Sequence, residues 1–127
     1  MFSTNWVLKI YPETILPKEF EKLGVSIHRN IENGIKDVNV IICLRIQNER
    51  MSSMLLPSRK EYFALYGLTE KRIKYCSNDL IVMHPGPINR GVEIDSTVAD
   101  SPFSMILNQV SYGVAVRMAI INKVLNG

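Results

Sequence analysis

Hydrophobic and polar positions along this 127-residue chain alternate between short apolar runs and helical spacings. Residues 6–11 (WVLKIY) form a β-rich run closed by Pro12. Residues 18–23 (KEFEKL) place Phe20 and Leu23 three apart, a short amphipathic helix ended by Gly24. Residues 25–28 give a second strand, and Ile31 and Ile35, four apart, give one or two helical turns weakened by Gly34. Residues 38–44 (VNVIICL) are nearly all apolar, which predicts a strand covered on both faces, as in parallel sheets. Ser58 and Glu61 stand at capping-box spacing, so a helix begins there and runs to Tyr66 before Gly67. Thr69 caps a helix over residues 70–76. Residues 80–83 (LIVM) are short enough for one buried strand. Ser101-Pro102 marks the start of a last helix. Its Phe103, Ile106, Leu107, Val110, Val114, Ile121 and Leu125 form one long apolar face. Strands alternating with helices argue for an α/β fold, a three-layer parallel sheet of Rossmann type with about four strands.

The stretch 80–94 (LIVMHPGPINRGVEI) organises the rest. Its strand stops on His84-Pro85-Gly86-Pro87, where two prolines and a glycine fix the backbone path. Ligands of open α/β sheets bind just outside the carboxyl ends of parallel strands. A proline-locked turn there suits the presentation of backbone carbonyls to a polar ligand. Gly86-Pro87 is a candidate cis peptide or an ordinary trans loop. His84 serves either as a general base or as a holder of a backbone carbonyl in the turn. Arg90 and Glu93 are candidates to pair with each other.

Arg45 and Gln47 follow directly on the strand at 38–44. Two apart on extended backbone, they point the same way, into the crevice at the sheet's carboxyl edge. An arginine fork grips a carboxylate with two bonds, and a glutamine amide adds one. The simpler alternative pairs Arg45 with a surface acid such as Glu49. Met83, Met105 and Met118 read as core filler.

Composition narrows the class without naming it. Hydrophobic residues make up 46% and charged residues 21%, so the chain is globular, and its length suits one domain over residues 1–127. A formal charge of +3 without a basic run points to a solvated surface and away from nucleic acid. Cys43 and Cys76 have no zinc or redox spacing, so neither a metal nor a cofactor is expected, and a reduced, cytoplasmic setting is the plain reading. No apolar run approaches a membrane span, and the first residues lack the pattern of a secretory leader. No phosphate-binding glycine loop, nucleophile elbow or acid–base pair of carboxylates is present, so no catalytic residue is assigned.

Three blocks taken together resemble the aspartate carbamoyltransferase catalytic chain: RIQNERM at 45–51, HPGPINRGVEI at 84–94 and ILNQVSYGVAVRMAII at 106–121. That family joins carbamoyl phosphate to L-aspartate, giving N-carbamoyl-L-aspartate and phosphate in pyrimidine synthesis. The resemblance implies that Arg45 grips the aspartate carboxylate with Gln47 beside it. It implies that the carbonyls of Gly86 and Pro87 accept from the carbamoyl amino group. Arg50 matches an arginine that pairs across the cleft on closure, with His84 supporting the turn.

The family's phosphate signature, its carbamoyl-phosphate domain and the first, central strand of the aspartate domain have no counterpart here. The resemblance therefore implies an aspartate-binding part, truncated at its amino end. It would be inactive alone and complete only with an amino-terminal half, or else prone to self-association through open strand edges. A non-catalytic remnant or an interaction or ligand-sensing module retaining the fold is the competing reading.

Overall fold

The computed structural model describes residues 7–9, 22, 26–46 and 58–127. In chain order the elements are β1 (Val7–Lys9), β2 (Ser26–His28), α1 (Ile31–Ile35), β3 (Val40–Ile42), α2 (Arg59–Tyr66), α3 (Glu70–Ile73), β4 (Ile81–Met83), α4 (Ser96–Ala99) and α5 (Ile106–Asn126). The fold is α/β, and its strands pair in parallel as expected. They form two ribbons, β1 with β2 and β3 with β4. Among the described residues no main-chain pairing joins the two ribbons. The helix expected over 18–23 lies outside the described residues, apart from Lys22.

Local chemistry sets most of the helix starts. Asn30 caps α1 by accepting the Asn33 N–H at 3.0 Å. Ser58 Oγ accepts the Glu61 N–H at 3.3 Å to open α2, and Thr69 Oγ1 accepts the Arg72 N–H at 3.4 Å to open α3. α2 stops at Gly67, where a Cβ would stand 2.2 Å from the Phe63 ring. The last carbonyls of α2 would then be orphaned. The Arg72 guanidinium supplies the missing donors to Ala64 and Gly67, each at 2.6 Å, and to Leu65 at 3.1 Å.

The main core gathers Leu68, Leu80, Val82, Ile94, Val98, Ala99 and Ile106, with Ile41, Cys43 and Cys76 packed against it. A second cluster holds Ile46, Tyr62 and Val92. Leu68 ties the two halves of this region together: its N–H donates to Glu93 O at 3.0 Å and its carbonyl accepts from Asp95 at 2.9 Å.

Three expectations are corrected. The strand at 38–44 is not covered on both faces: Ile41 and Cys43 point to the core, but Val40, Ile42 and Leu44 are about half exposed. The last helix begins at Ile106 instead of after Ser101, because β4 uses the intervening backbone: Val82 N–H donates to Phe103 O and Met105 N–H donates to Val82 O. The Ser101 hydroxyl instead donates to Val98 O at 2.7 Å, at the end of α4. Finally, the apolar face of α5 is exposed along its length, with Ile106 alone buried. Met118 on that helix is therefore exposed, and Met105 just before it is exposed as well, so neither is core.

Candidate functional site

β3 and β4 run side by side in the same direction, with Val40 opposite Ile81 and Ile42 opposite Met83. Their carboxyl ends therefore open at one end of the ribbon, and pairing continues one step further through the Cys43 N–H to Met83 O bond at 2.9 Å. The two segments that carry the sequence motifs leave the sheet from neighbouring points.

Past β3, Ile46 is buried against Tyr62 and Val92, whereas Arg45 is exposed. Burial of the isoleucine anchors this segment and leaves the adjacent guanidinium in solvent. Among the described residues Arg45 makes no ion pair. Gln47, Arg50 and Glu49 lie outside the described residues.

Past β4 the chain makes the turn that the prolines demand. Gly86-Pro87 is a cis peptide, and Gly86 has φ +69°. Among the described residues neither the Gly86 nor the Pro87 carbonyl accepts a main-chain hydrogen bond.

His84 is fully buried beneath this turn. Its Nδ1 accepts the Gly86 N–H at 2.8 Å. That bond fixes the tautomer: a ring nitrogen that accepts carries no proton, so the ring proton sits on Nε2. The histidine therefore holds an N–H of the turn, where a carbonyl was the expected partner. Nε2 faces Glu93 Oε1 at 3.3 Å without the alignment of a hydrogen bond, and has no other partner. Glu93, also buried, accepts the Asn89 N–H on the same oxygen. The Asn89 side chain then donates to Ile46 O at 3.3 Å. A continuous chain of contacts runs from the turn through His84, Glu93 and Asn89 to the segment that bears Arg45.

Glu93 does not pair with Arg90. Arg90 makes a two-bond bridge to Asp100, at 2.6 and 2.7 Å, well outside this network. The signal that would have found Glu93 is a lone acid between Val92 and Ile94, both buried. Such an acid is buried with its neighbours only if polar groups meet it. The larger described hollow lies elsewhere, lined by Glu70, Lys74, Thr97 and Phe103, and does not include the strand tips. Among the described residues no cluster of three metal-ligating side chains occurs. No described helix is long and apolar enough to cross a membrane.

An arginine and a proline-locked turn at the tips of two neighbouring parallel strands stand where α/β domains bind small ligands. The family model for the aspartate/ornithine carbamoyltransferase Asp/Orn binding domain matches residues 9–124, and the chain belongs to that family. It is similar in fold to ornithine carbamoyltransferase from Pyrococcus furiosus, with TM-score 0.66 and 22% identity over 81% of this chain and 33% of that one. The Burkholderia thailandensis ornithine enzyme gives TM-score 0.66 at 17% identity, over 89% of this chain and 34% of that one. A mutant N-acetyl-L-ornithine transcarbamylase, complexed with carbamyl phosphate and N-succinyl-L-norvaline, gives 0.70 at 16% identity, over 92% and 40%. The chain thus spans between a third and two fifths of these relatives.

Proposed function

We propose that this chain is the L-aspartate-binding half of an aspartate carbamoyltransferase and needs a carbamoyl-phosphate-binding half to turn over. The observation that carries the reading is the shared end of β3 and β4, with the Arg45 guanidinium on one tip and the Gly86 and Pro87 carbonyls on the other, none of them paired among the described residues. A guanidinium recognises a carboxylate, and paired carbonyls recognise the two N–H donors of a carbamoyl group. In the reaction the amino nitrogen of aspartate attacks the carbamoyl carbon, the C–O bond to phosphate breaks, and phosphate leaves as the nitrogen loses a proton. Gln47 would stand beside Arg45 on the aspartate, and Arg50 would pair across the cleft on closure.

The solved relatives named above are ornithine and N-acetyl-L-ornithine enzymes, and at this identity their likeness speaks to the fold alone. The preference for aspartate rests on the blocks at 45–51 and 84–94. Transfer also needs donors for a phosphate dianion and for the tetrahedral centre, and the strand tips supply only acceptors beside one arginine. Pyrimidine synthesis in the cytoplasm is the setting this reading implies. The second reading, a non-catalytic remnant or ligand-sensing module, is favoured by that shortage of donors at the described strand tips.

Calorimetric titration of the chain with L-aspartate and, separately, L-ornithine tests the proposal, alongside an assay for carbamoylaspartate. The expected result is aspartate binding lost in Arg45→Ala and no turnover until an amino-terminal half is supplied. Binding of ornithine in place of aspartate would overturn the substrate. Binding of neither amino acid, with or without that half, would favour the remnant.

A further inference from the structure

The turn at residues 84–87 hangs on one side chain. His84 Nδ1 accepts the Gly86 N–H, two residues on, at 2.8 Å. Among the described residues that N–H has no other acceptor. An asparagine makes the same arrangement in an Asx turn, where a side-chain oxygen takes the N–H two positions ahead. That oxygen accepts at any pH, whereas an imidazole nitrogen accepts only while it carries no proton. His84 therefore puts a titratable atom where turns of this kind ordinarily put a fixed one.

The surroundings decide what a proton does there. The ring is fully buried, and its Nε2 stands 3.3 Å from Glu93 Oε1. Glu93 is buried as well and is fastened to the Asn89 N–H. Among the described residues that carboxylate is the charged group within ion-pair reach of the ring. Of the cations on the flanking segments, Arg45 is exposed and Arg90 is bonded to Asp100. Cys43, past the end of β3, packs against the main core, and Tyr62 of α2 lies with Ile46 and Val92. α5 carries no titratable group over residues 106–111.

Protonation puts an N–H on both ring nitrogens. Nδ1 then points a donor at the donor of Gly86, and their bond is lost. Nε2 faces the Glu93 carboxylate as part of a cation, and that attraction keeps the ring in place. The backbone gives way instead. Gly86 is suited to do so, because without a Cβ it has more conformations open to it than any other residue.

We propose that His84 is the positioning residue of this turn and acts as a proton-operated latch, holding the Gly86 N–H while neutral and releasing it once Nδ1 is protonated. The latched turn is the form at higher pH, and the released turn appears as pH falls through the titration of the ring. The consequence for the site rests on the substrate reading above: release turns the Gly86 and Pro87 carbonyls away from the carbamoyl group they are proposed to receive.

Nuclear magnetic resonance of the full chain, from about pH 8 to about pH 5, where imidazoles ordinarily titrate, tests the latch without any substrate. At pH 8 the expected ring is neutral and protonated on Nε2. As the ring titrates, the Gly86 amide is expected to shift with the same midpoint, and its protection factor to fall by about tenfold, the loss of one hydrogen bond. The Val82 amide, bonded to Phe103 O, is expected to stay protected, which separates release of the turn from unfolding. His84→Asn keeps an acceptor for the N–H two residues on and is expected to hold Gly86 with no pH step. A Gly86 amide indifferent to the ring's titration would overturn the proposal. So would a ring that stays neutral down to pH 5, a neutral ring protonated on Nδ1, or an asparagine variant with the wild-type step. Should His84→Asn fail to fold, the wild-type titration carries the test. With an amino-terminal half supplied, the KM for carbamoyl phosphate is expected to rise more in acid for wild type than for His84→Asn, the substrate's own titration being common to both. No turnover in that mixture, with the pH step of Gly86 present, would count against the substrate reading and not against the latch.

Discussion

The side-chain amide of Asn89 reaches across 43 positions of sequence to the main-chain carbonyl of Ile46, at 3.3 Å. One hydrogen bond thereby fastens the turn after β4 to the segment after β3, the two places where the substrate groups are proposed to sit. Asn89→Ala is expected to cost about 1 kcal/mol of stability, the net value of one such bond. Because the bond spans the site, the same substitution is expected to weaken aspartate binding more than its small stability cost explains. Urea denaturation and calorimetry on one preparation separate the two effects. An unchanged affinity would mean that Ile46, held in the Tyr62–Val92 cluster, fixes the arginine segment by itself.

Glu93 is the buried acid on which this network converges. Removing its carboxylate leaves the Asn89 N–H facing no acceptor beside a buried side chain. Glu93→Ala is expected to destabilise the chain by about 2 kcal/mol, the scale of leaving a buried donor unsatisfied. Glu93→Gln keeps an oxygen for Asn89 and is expected to cost about 1 kcal/mol. Equal losses for the two variants would show that charge, and not the acceptor, holds the turn.

Strands, caps and the turn at 84–87 were legible because their causes are local. Apolar runs mark β3 and β4, Ser58 and Thr69 donate no side chain to anything distant, and the glycine between two prolines announces its own backbone. The misreading at Ser101-Pro102 has the opposite cause. A serine before a proline is a sound start signal, but residues 103–105 are claimed by Val82, some twenty positions away, and the helix waits until that pairing ends. Likewise the 3–4 spacing of α5 reports an apolar face without reporting what meets it. Glu93 was visible as an acid but not as the partner of His84, since the loop that returns it beneath the histidine is set by Gly91 at φ +73°.

The bridge between Arg90 and Asp100 sets a pH dependence. The hydrogen bonds from Arg90 hold the Asp100 carboxyl below its ordinary value; desolvation opposes this and the arginine's charge adds to it. A depressed carboxylate contributes stability that is present above its unfolded value and is lost as pH falls through the folded one. Wild type is therefore expected to exceed Asp100→Asn in urea midpoint at neutral pH by a small margin, and the two are expected to converge as pH falls through the folded value of Asp100. The margin is expected to shrink with added salt, because both side chains are solvent-facing. A gap that persists in acid would mean that Asp100 acts through something other than its charge.

Gly86 joins the turn to α5 and tolerates a side chain poorly. Its φ of +69° already disfavours any L-residue with a Cβ, at about 1–2 kcal/mol. A Cβ built there would also stand 2.9 Å from Val110 Cγ2, on the second turn of α5. Valine is stiff about χ1 and has little room to yield. Gly86→Ala is therefore expected to destabilise by about 2 kcal/mol or more, the sum of backbone and crowding costs. Pairing it with Val110→Ala removes the crowding but not the backbone cost, so the double variant is expected to recover part of the loss. The coupling free energy from that cycle, read by urea denaturation, measures how firmly the first turns of α5 press on the carbonyl-presenting turn. Strict additivity would show that Val110 moves aside freely and that only the backbone of Gly86 demands glycine.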